Sequence, residues 1–197
     1  IIKKRVVITG LGVAAPKGVG IPAFTEGIKK GQSGIKHYPA LEALQFSCQV
    51  GGIPPVTESD KQTYFTNLQL RNFNSSGILY GVIAGIEAMH DAKIPLSEKE
   101  ANWDLGIVFG TGTSGVDKFR EAIYKVDEGK VRRLGSTTVI QTMASGISAY
   151  LGGMTGAANV VTTNSSACAT GTEAVLMGYE RIASGKASQM LCGSTSD

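Results

Sequence analysis

The amino-acid sequence specifies an α/β layered domain. Short β-branched runs alternate with stretches of helical period, the pattern of strands laid between helices. Of the 197 residues, 42% are hydrophobic and 18% charged, enough apolar material to fill a core. The 26 glycines gather at turns and helix ends, where they punctuate the elements.

The elements follow in order. Residues 5–13 have the composition of a buried strand, and a Gly/Pro turn follows through Gly20. Residues 22–30 fit a short helix, and 31–55 are irregular, with Gly51-Gly52 and Pro54-Pro55 as breakers. Residues 60–70 have helical character. The stretch 76–91 is a stronger helix: Ile78, Leu79, Val82, Ile83, Ile86 and Met89 recur at helical spacing. Glu87 and Asp91 are its only formal charges, so burial on most sides is expected. A strand over 105–109 precedes a charged surface helix over 116–126. Residues 137–151 fit one helix loosened by Gly146. Strand-like runs at 159–163 and 190–193 bracket a last helix that ends at Ala183-Ser184-Gly185-Lys186, with glycine as its stop.

Composition excludes several classes of function. A net charge of +3 is too small to argue for nucleic acid. Cys48, Cys168 and Cys192 form no CxxC and no paired framework, which suits a reducing compartment. Ile1-Ile2-Lys3-Lys4-Arg5 does not open a signal peptide, and no apolar stretch approaches the roughly 20 residues of a membrane helix. A soluble, cytoplasmic protein with no membrane partner, no metal and no cofactor is expected.

Cys168 carries the most chemical information. It lies in Asn164-Ser165-Ser166-Ala167-Cys168-Ala169-Thr170-Gly171, between the 159–163 strand and the last helix. Cys168, Thr172, Val175, Tyr179 and Ile182 step by four and three residues, which puts them on one helical face. A thiol at a strand-to-helix turn meets unpaired backbone N–H groups and the positive end of the helix dipole, which favour a thiolate. The same N–H groups suit an oxyanion formed when the sulfur attacks a carbonyl. The plain alternative is an inert, buried thiol packed as a small hydrophobe.

Two glycine motifs imitate a dinucleotide fingerprint: Gly10-Leu11-Gly12-Val13-Ala14-Ala15, and Gly110-Thr111-Gly112-Thr113-Ser114-Gly115. The fingerprint needs a strand ending in an acid about 20 residues on. Lys29-Lys30-Gly31-Gln32-Ser33 has neither acid nor strand, and Glu128-Gly129-Lys130 sits in a charged loop. A dinucleotide-dependent oxidoreductase is therefore the weakest functional reading. The glycines are expected to allow close backbone packing instead.

Residues 134–172 form a run of 39 without Asp, Glu, Lys or Arg. The run is too polar for a membrane span and suits a segment enclosed by protein. A plain core segment and a subunit interface both fit, since interface centres are also depleted of charge. The opposite composition occurs at 125–133, where Lys130, Arg132 and Arg133 cluster in a run that is either a solvated face or a docking patch.

Three stretches together resemble the beta-ketoacyl-acyl-carrier-protein synthases, the condensing enzymes of the thiolase-like fold. The first is Arg5-Val6-Val7-Ile8-Thr9-Gly10-Leu11-Gly12-Val13, with Gly31-Gln32-Ser33-Gly34-Ile35 after it. The second is Gly106-Ile107-Val108-Phe109-Gly110-Thr111-Gly112-Thr113-Ser114-Gly115. The third is Ser166-Ala167-Cys168-Ala169-Thr170-Gly171, followed by Ile182-Ala183-Ser184-Gly185-Lys186-Ala187 and Met190-Leu191-Cys192-Gly193. Their order and spacing match the family's N-terminal half over residues 1–197.

The resemblance implies one half of a thiolase-like layered fold, a mixed five-stranded sheet with helices on both faces. It implies a 3-oxoacyl-[acyl-carrier-protein] synthase of fatty acid or polyketide-type synthesis. Cys168 would accept an acyl group from a carrier-protein thioester, for condensation with decarboxylated malonyl-carrier protein. The partners implied are acyl carrier protein, acyl and malonyl thioesters, and a second copy of the chain. Thr113 would lie near the acyl pocket, and Lys130, Arg132 and Arg133 would dock the acidic carrier, with Arg71 a weaker candidate. The 134–172 run would supply a homodimer contact centred on 159–163 and the wall of an acyl tunnel.

The family's two catalytic histidines belong to its C-terminal half. The histidines here, His37 and His90, lie in no such motif, and His90 suits a helix-end cation. The 197-residue chain is thus expected to be incomplete for condensation by itself. A non-catalytic partner or chain-length subunit of the same fold is the alternative, and retention of Cys168 argues against it.

Overall fold

The computed structural model describes residues 4–196. Ile1, Ile2, Lys3 and Asp197, on which part of the signal-peptide and chain-end readings fell, lie outside the described residues. A small hairpin, β1 (Ala14–Ala15) with β2 (Gly18–Val19), leads into α1 (Ile21–Lys29). A second hairpin, β3 (Lys36–His37) with β4 (Val50–Gly51), encloses α2 (Pro39–Ala43). Helices α3 (Glu58–Tyr64), α4 (Asn67–Asn72) and α5 (Ser76–Asp91) follow, then strand β5 (Leu105–Gly110) and helix α6 (Val116–Asp127). A 3-10 turn (Val131–Arg133) precedes α7 (Thr138–Thr142) and α8 (Gly146–Thr155). Strand β6 (Val161–Thr162), a 3-10 turn (Ala167–Ala169), α9 (Thr170–Ala183) and strand β7 (Gln189–Ser194) complete the order.

Among the described residues the central sheet has three strands, all parallel, in the order β6-β5-β7. Strand β5 is buried along its whole length. Leu105, Ile107 and Phe109 join the core with Ile147 and Leu151 of α8 and the apolar residues of α5. On the other face α9 packs on Met190 and Cys192, close to both at Gly178. The alternation of strand side chains thus divides the domain into helix, sheet and helix layers.

Helix α5 is the core helix that its composition predicts. Nine of its residues are buried, among them Ile78, Val82, Ile83, Ile86 and Met89. Gly81 and Gly85, one turn apart, admit α8: a Cβ on Gly81 would stand 2.7 Å from Ile147, and one on Gly85 2.8 Å from Leu151.

Three expectations change in detail while the fold class stands. The expected mixed sheet of five strands has three parallel ones here, and the antiparallel pairs are separate hairpins. Residues 5–13 do not enter a ladder, and Val7, Ile8 and Leu11 are exposed. The acids of α5 draw this segment across the helix: Asp91 accepts from the Leu11 N–H (2.9 Å), and Glu87 from those of Val13 (2.9 Å) and Ile21 (2.8 Å). Gly10 and Gly12 make the crossing possible, since a Cβ on either would fall within 2.2 Å of a carbonyl oxygen, Ala88 or Ala84. The glycines therefore pack backbone closely, as expected, against α5.

The single helices expected over 60–70 and 137–151 are each broken in two. Buried Phe65 turns inward at the first break, towards Tyr150. Thr57 with Asp60 and Thr66 with Gln69 form capping boxes that start α3 and α4. At the second break Gly146 lies so close to Ile140 that a Cβ would meet its carbonyl oxygen at 2.0 Å.

Candidate active site

The C-terminal ends of the three parallel strands gather the residues of interest. Chain leaving β5 runs to β6 on one side, and chain leaving β6 crosses to β7 on the other. A crevice at such a change of direction is where open α/β sheets bind their ligands. Three loops meet there: Gly110-Thr111-Gly112-Thr113 after β5, Asn164-Ser165-Ser166 after β6, and Thr195-Ser196 after β7. The Thr111 N–H donates to the Asn164 carbonyl (3.2 Å), and the Thr195 N–H to that of Gly110 (3.1 Å). The hydroxyl of Ser196 accepts from the N–H groups of Gly112 (3.1 Å) and Thr113 (3.3 Å).

Cys168 stands in the 3-10 turn that opens α9, and its side chain is exposed. The expected placement at a strand-to-helix turn is thus what the structure has, and the buried-thiol alternative does not describe it. The residue before it, Ala167, has φ 49°, in the left-handed region that non-glycine residues seldom occupy. The turn is fastened from both sides. The Ser166 N–H donates to the Thr170 hydroxyl (2.9 Å), which donates to the Ala167 carbonyl (2.7 Å). Asn164 donates to the Thr170 carbonyl (2.9 Å) and to the Glu173 carboxylate (2.8 Å), and the Ser166 hydroxyl donates to the same carboxylate. These bonds, from Asn164 first and then Ser166, hold the Glu173 carboxyl below the usual carboxylate range.

The other thiols differ. Cys48 is exposed in the loop before β4, where its Sγ faces the Val50 carbonyl at 3.7 Å. Cys192 lies on β7 under α9, and burial pushes its thiol up to about 11.

Thr113 shares the loop cluster with Cys168. A Cβ on its neighbour Gly112 would be 3.9 Å from the Ala167 Cα. Lys130, Arg132 and Arg133 are exposed beyond α6, in and just before the 3-10 turn. Lys130 pairs with Glu128 (2.6 Å). Arg133 lines a cleft of about 180 Å³ with Arg71, Lys118 and Lys125, so the two docking candidates that lay far apart in sequence share one feature. Glu121, also in the cleft, is held below the usual carboxylate range by Lys125 and Lys118.

His37 is exposed on β3 beside Gln49 and Glu42, and His90 is in the last turn of α5, the helix-end position expected of it. Neither belongs to the loops around Cys168. Among the described residues no group of three or more His, Cys, Asp or Glu could hold a metal ion, and no helix is long and apolar enough to cross a membrane.

The network of Asn164, Ser166 and Glu173 is what sequence reasoning missed. Its signal was present: two polar residues before the cysteine and an acid five positions after it, in a run otherwise free of charge.

Comparison with known proteins follows the same lines. The family model for the beta-ketoacyl synthase N-terminal domain matches residues 3–197. The chain is 30% identical over 196 residues to 3-oxoacyl-[acyl-carrier-protein] synthase 2 of Synechocystis sp., covering 98% of this chain and 45% of that protein. The protein of the same name from Vibrio harveyi is 29% identical over 191 residues, covering 97% and 45%. Among solved structures, a type II polyketide acyl-carrier protein in complex with its ketosynthase matches with TM-score 0.75 and 26% identity, over 98% of this chain and 45% of that one. The ishigamide ketosynthase/chain length factor, at TM-score 0.80, 24% identity and coverage of 98% and 47%, shares the fold. The chain spans about 45% of the length of these curated relatives.

Proposed function

The chain belongs to the beta-ketoacyl synthase family, and we propose that it is the N-terminal half of a 3-oxoacyl-[acyl-carrier-protein] synthase with Cys168 as its acyl acceptor. The exposed Cys168 thiol, presented on a fastened strand-to-helix turn at the switch point of the sheet, is the observation that carries this reading. The sulfur attacks the carbonyl carbon of an acyl-carrier thioester. The new S–C bond replaces the old one, and the carrier leaves as a thiol with the proton that Cys168 gives up. A malonyl-carrier thioester then loses CO₂, and its carbanion attacks the Cys168 thioester. The product is a 3-oxoacyl-carrier, and the cysteine is freed.

The residues that serve the decarboxylation are proposed to lie outside residues 1–197, in the portion of the relatives that this chain does not span. The apolar groove of about 590 Å³ between residues 6–11, α9 and strand β7 would receive that portion. Val7, Ile8, Val175 and Leu176 are each more than half exposed there, an amount of apolar surface that suits a covered face. Strand β6 is one edge of the sheet, as β7 is the other, and Val161, whose side chain lies beside Gly152 of α8, is still 39% exposed, which supports the two-fold contact expected of 159–163. The three free thiols suit a reducing, cytoplasmic setting.

Carrier docking is proposed at the basic cleft and at Lys130 and Arg132, the exposed chain neighbours of its Arg133. Arg71, Lys118, Lys125 and Arg133 outnumber its one acid, Glu121, and complement an acidic partner. The assay is 3-oxoacyl product formed from acyl- and malonyl-carrier thioesters by the intact protein. Product is expected, and its absence would count against the reading. Reversing Lys130, Arg132 and Arg133 together should raise the KM for the carrier roughly tenfold at low salt and less at physiological salt, where screening acts over about 8 Å. An unchanged KM at low salt would remove the docking assignment.

A further inference from the structure

We propose that Glu173 is a positioning residue, whose carboxylate reaches back from the start of α9 to Ser166 and Asn164 and holds the turn that presents the Cys168 thiol. This rests on Cys168 as the acyl acceptor and adds the group that sets its geometry. Ala167 occupies a left-handed conformation that L-residues disfavour, so the surrounding contacts must enforce it. Thr170 ties the backbone on the helix side. Glu173 ties the two side chains on the strand side, Asn164 at 2.8 Å and Ser166. One carboxylate therefore joins the end of the strand segment, the turn and the helix. Without it, the Ser166 and Asn164 donors lose their common acceptor.

The plain role for an acid in this place is to complement the dipole of α9. The two roles differ in what they ask of the side chain. A dipole partner needs the negative charge, whereas a positioning residue needs an oxygen that accepts from Asn164 and Ser166. Glu173→Gln keeps such an oxygen and loses the charge, and Glu173→Ala loses both.

The test is the rate of Cys168 alkylation by iodoacetamide in the intact protein, followed by peptide mapping, with Cys192 as an internal reporter. Cys192 is half-buried against Gly178 of α9 and burial holds its thiol in the unreactive protonated form, so a rise in its labelling reports that helix loosening. Glu173→Ala is expected to slow Cys168 roughly tenfold, the scale of a reactive group held loosely, while Cys192 stays protected. Glu173→Gln should stay within about threefold of the wild type, since an amide oxygen still accepts. Ser166→Ala, which removes one of the two donors, should fall between them and serves as the test if Glu173→Ala exposes Cys192. A wild-type rate in Glu173→Ala, or in Ser166→Ala where that variant decides, overturns the proposal. So does a Glu173→Gln variant as slow as the alanine one. Failure of the underlying reading is separate: acyl label on a residue other than Cys168 would defeat the nucleophile and leave these alkylation rates unaltered.

Discussion

Cys168→Ala is expected to lower 3-oxoacyl product formation by the intact protein by a factor on the order of 10⁴ or more, the loss that follows removal of a covalent nucleophile. The substitution takes away one exposed sulfur and no core contact, so the melting temperature should hold. Neither Cys48 nor Cys192 can replace it: Cys48 belongs to the β3–β4 hairpin region, and Cys192 is packed under α9 with its ionisation pushed to about 11. Cys168→Ser would keep the shape and offer a hydroxyl, a far weaker nucleophile at neutral pH, so it should be nearly as inactive. Activity within tenfold of the wild type in either variant would contradict the assignment.

The largest effect on stability is expected at Gly110, the last residue of β5. An added Cβ would stand 2.3 Å from the Thr170 methyl, 2.4 Å from the Asn164 side-chain oxygen and 2.5 Å from the Asn164 carbonyl. One of these is backbone, and the two side chains are tied into the turn before α9, so none can give way cheaply. Gly110→Ala should cost about 3 kcal/mol, the upper part of the range for overpacking. It should appear as a lower denaturation midpoint with an unchanged slope. Acyl transfer should fall with it, because the displaced Asn164 is one of the fastenings of the Cys168 turn. Gly112→Ala is the control: its Cβ would stand 3.2 Å from the Ser196 hydroxyl and no nearer than 3.9 Å to Ala167, and its effect should be small. A Gly110→Ala midpoint within about half a kcal/mol of the wild type would show that the contact is not fixed as described.

Much of this arrangement was legible in the residues. The apolar period of 76–91 gave α5 to the residue, because burial on nearly every side leaves a pattern that local composition cannot hide. Cys168 could be placed at a helix start because a β-branched run, a polar turn and a four-three apolar step follow one another there. The breaks at Phe65 and Gly146 were missed for a different reason. Helical period continues across both, and only the capping pairs Thr57 with Asp60 and Thr66 with Gln69, or a carbonyl met through space, decide where a helix stops. Residues 5–13 mislead for the same cause. Their composition is that of a strand, and their path is set by Glu87 and Asp91 more than 60 positions away. Likewise, Arg71 and Arg133 became one cleft only when α4, α6 and α7 were placed around it.

The acyl-enzyme itself offers the most direct measurement. The intact protein is incubated with an acyl-carrier thioester alone, without the malonyl partner, then digested and mapped by mass spectrometry. One acyl group per chain is expected on the peptide that carries Cys168, released by hydroxylamine as a thioester is and absent from Cys168→Ala. An unmodified Cys168 peptide, or the acyl group on Cys48 or Cys192, would contradict the assignment of Cys168 as the acyl acceptor.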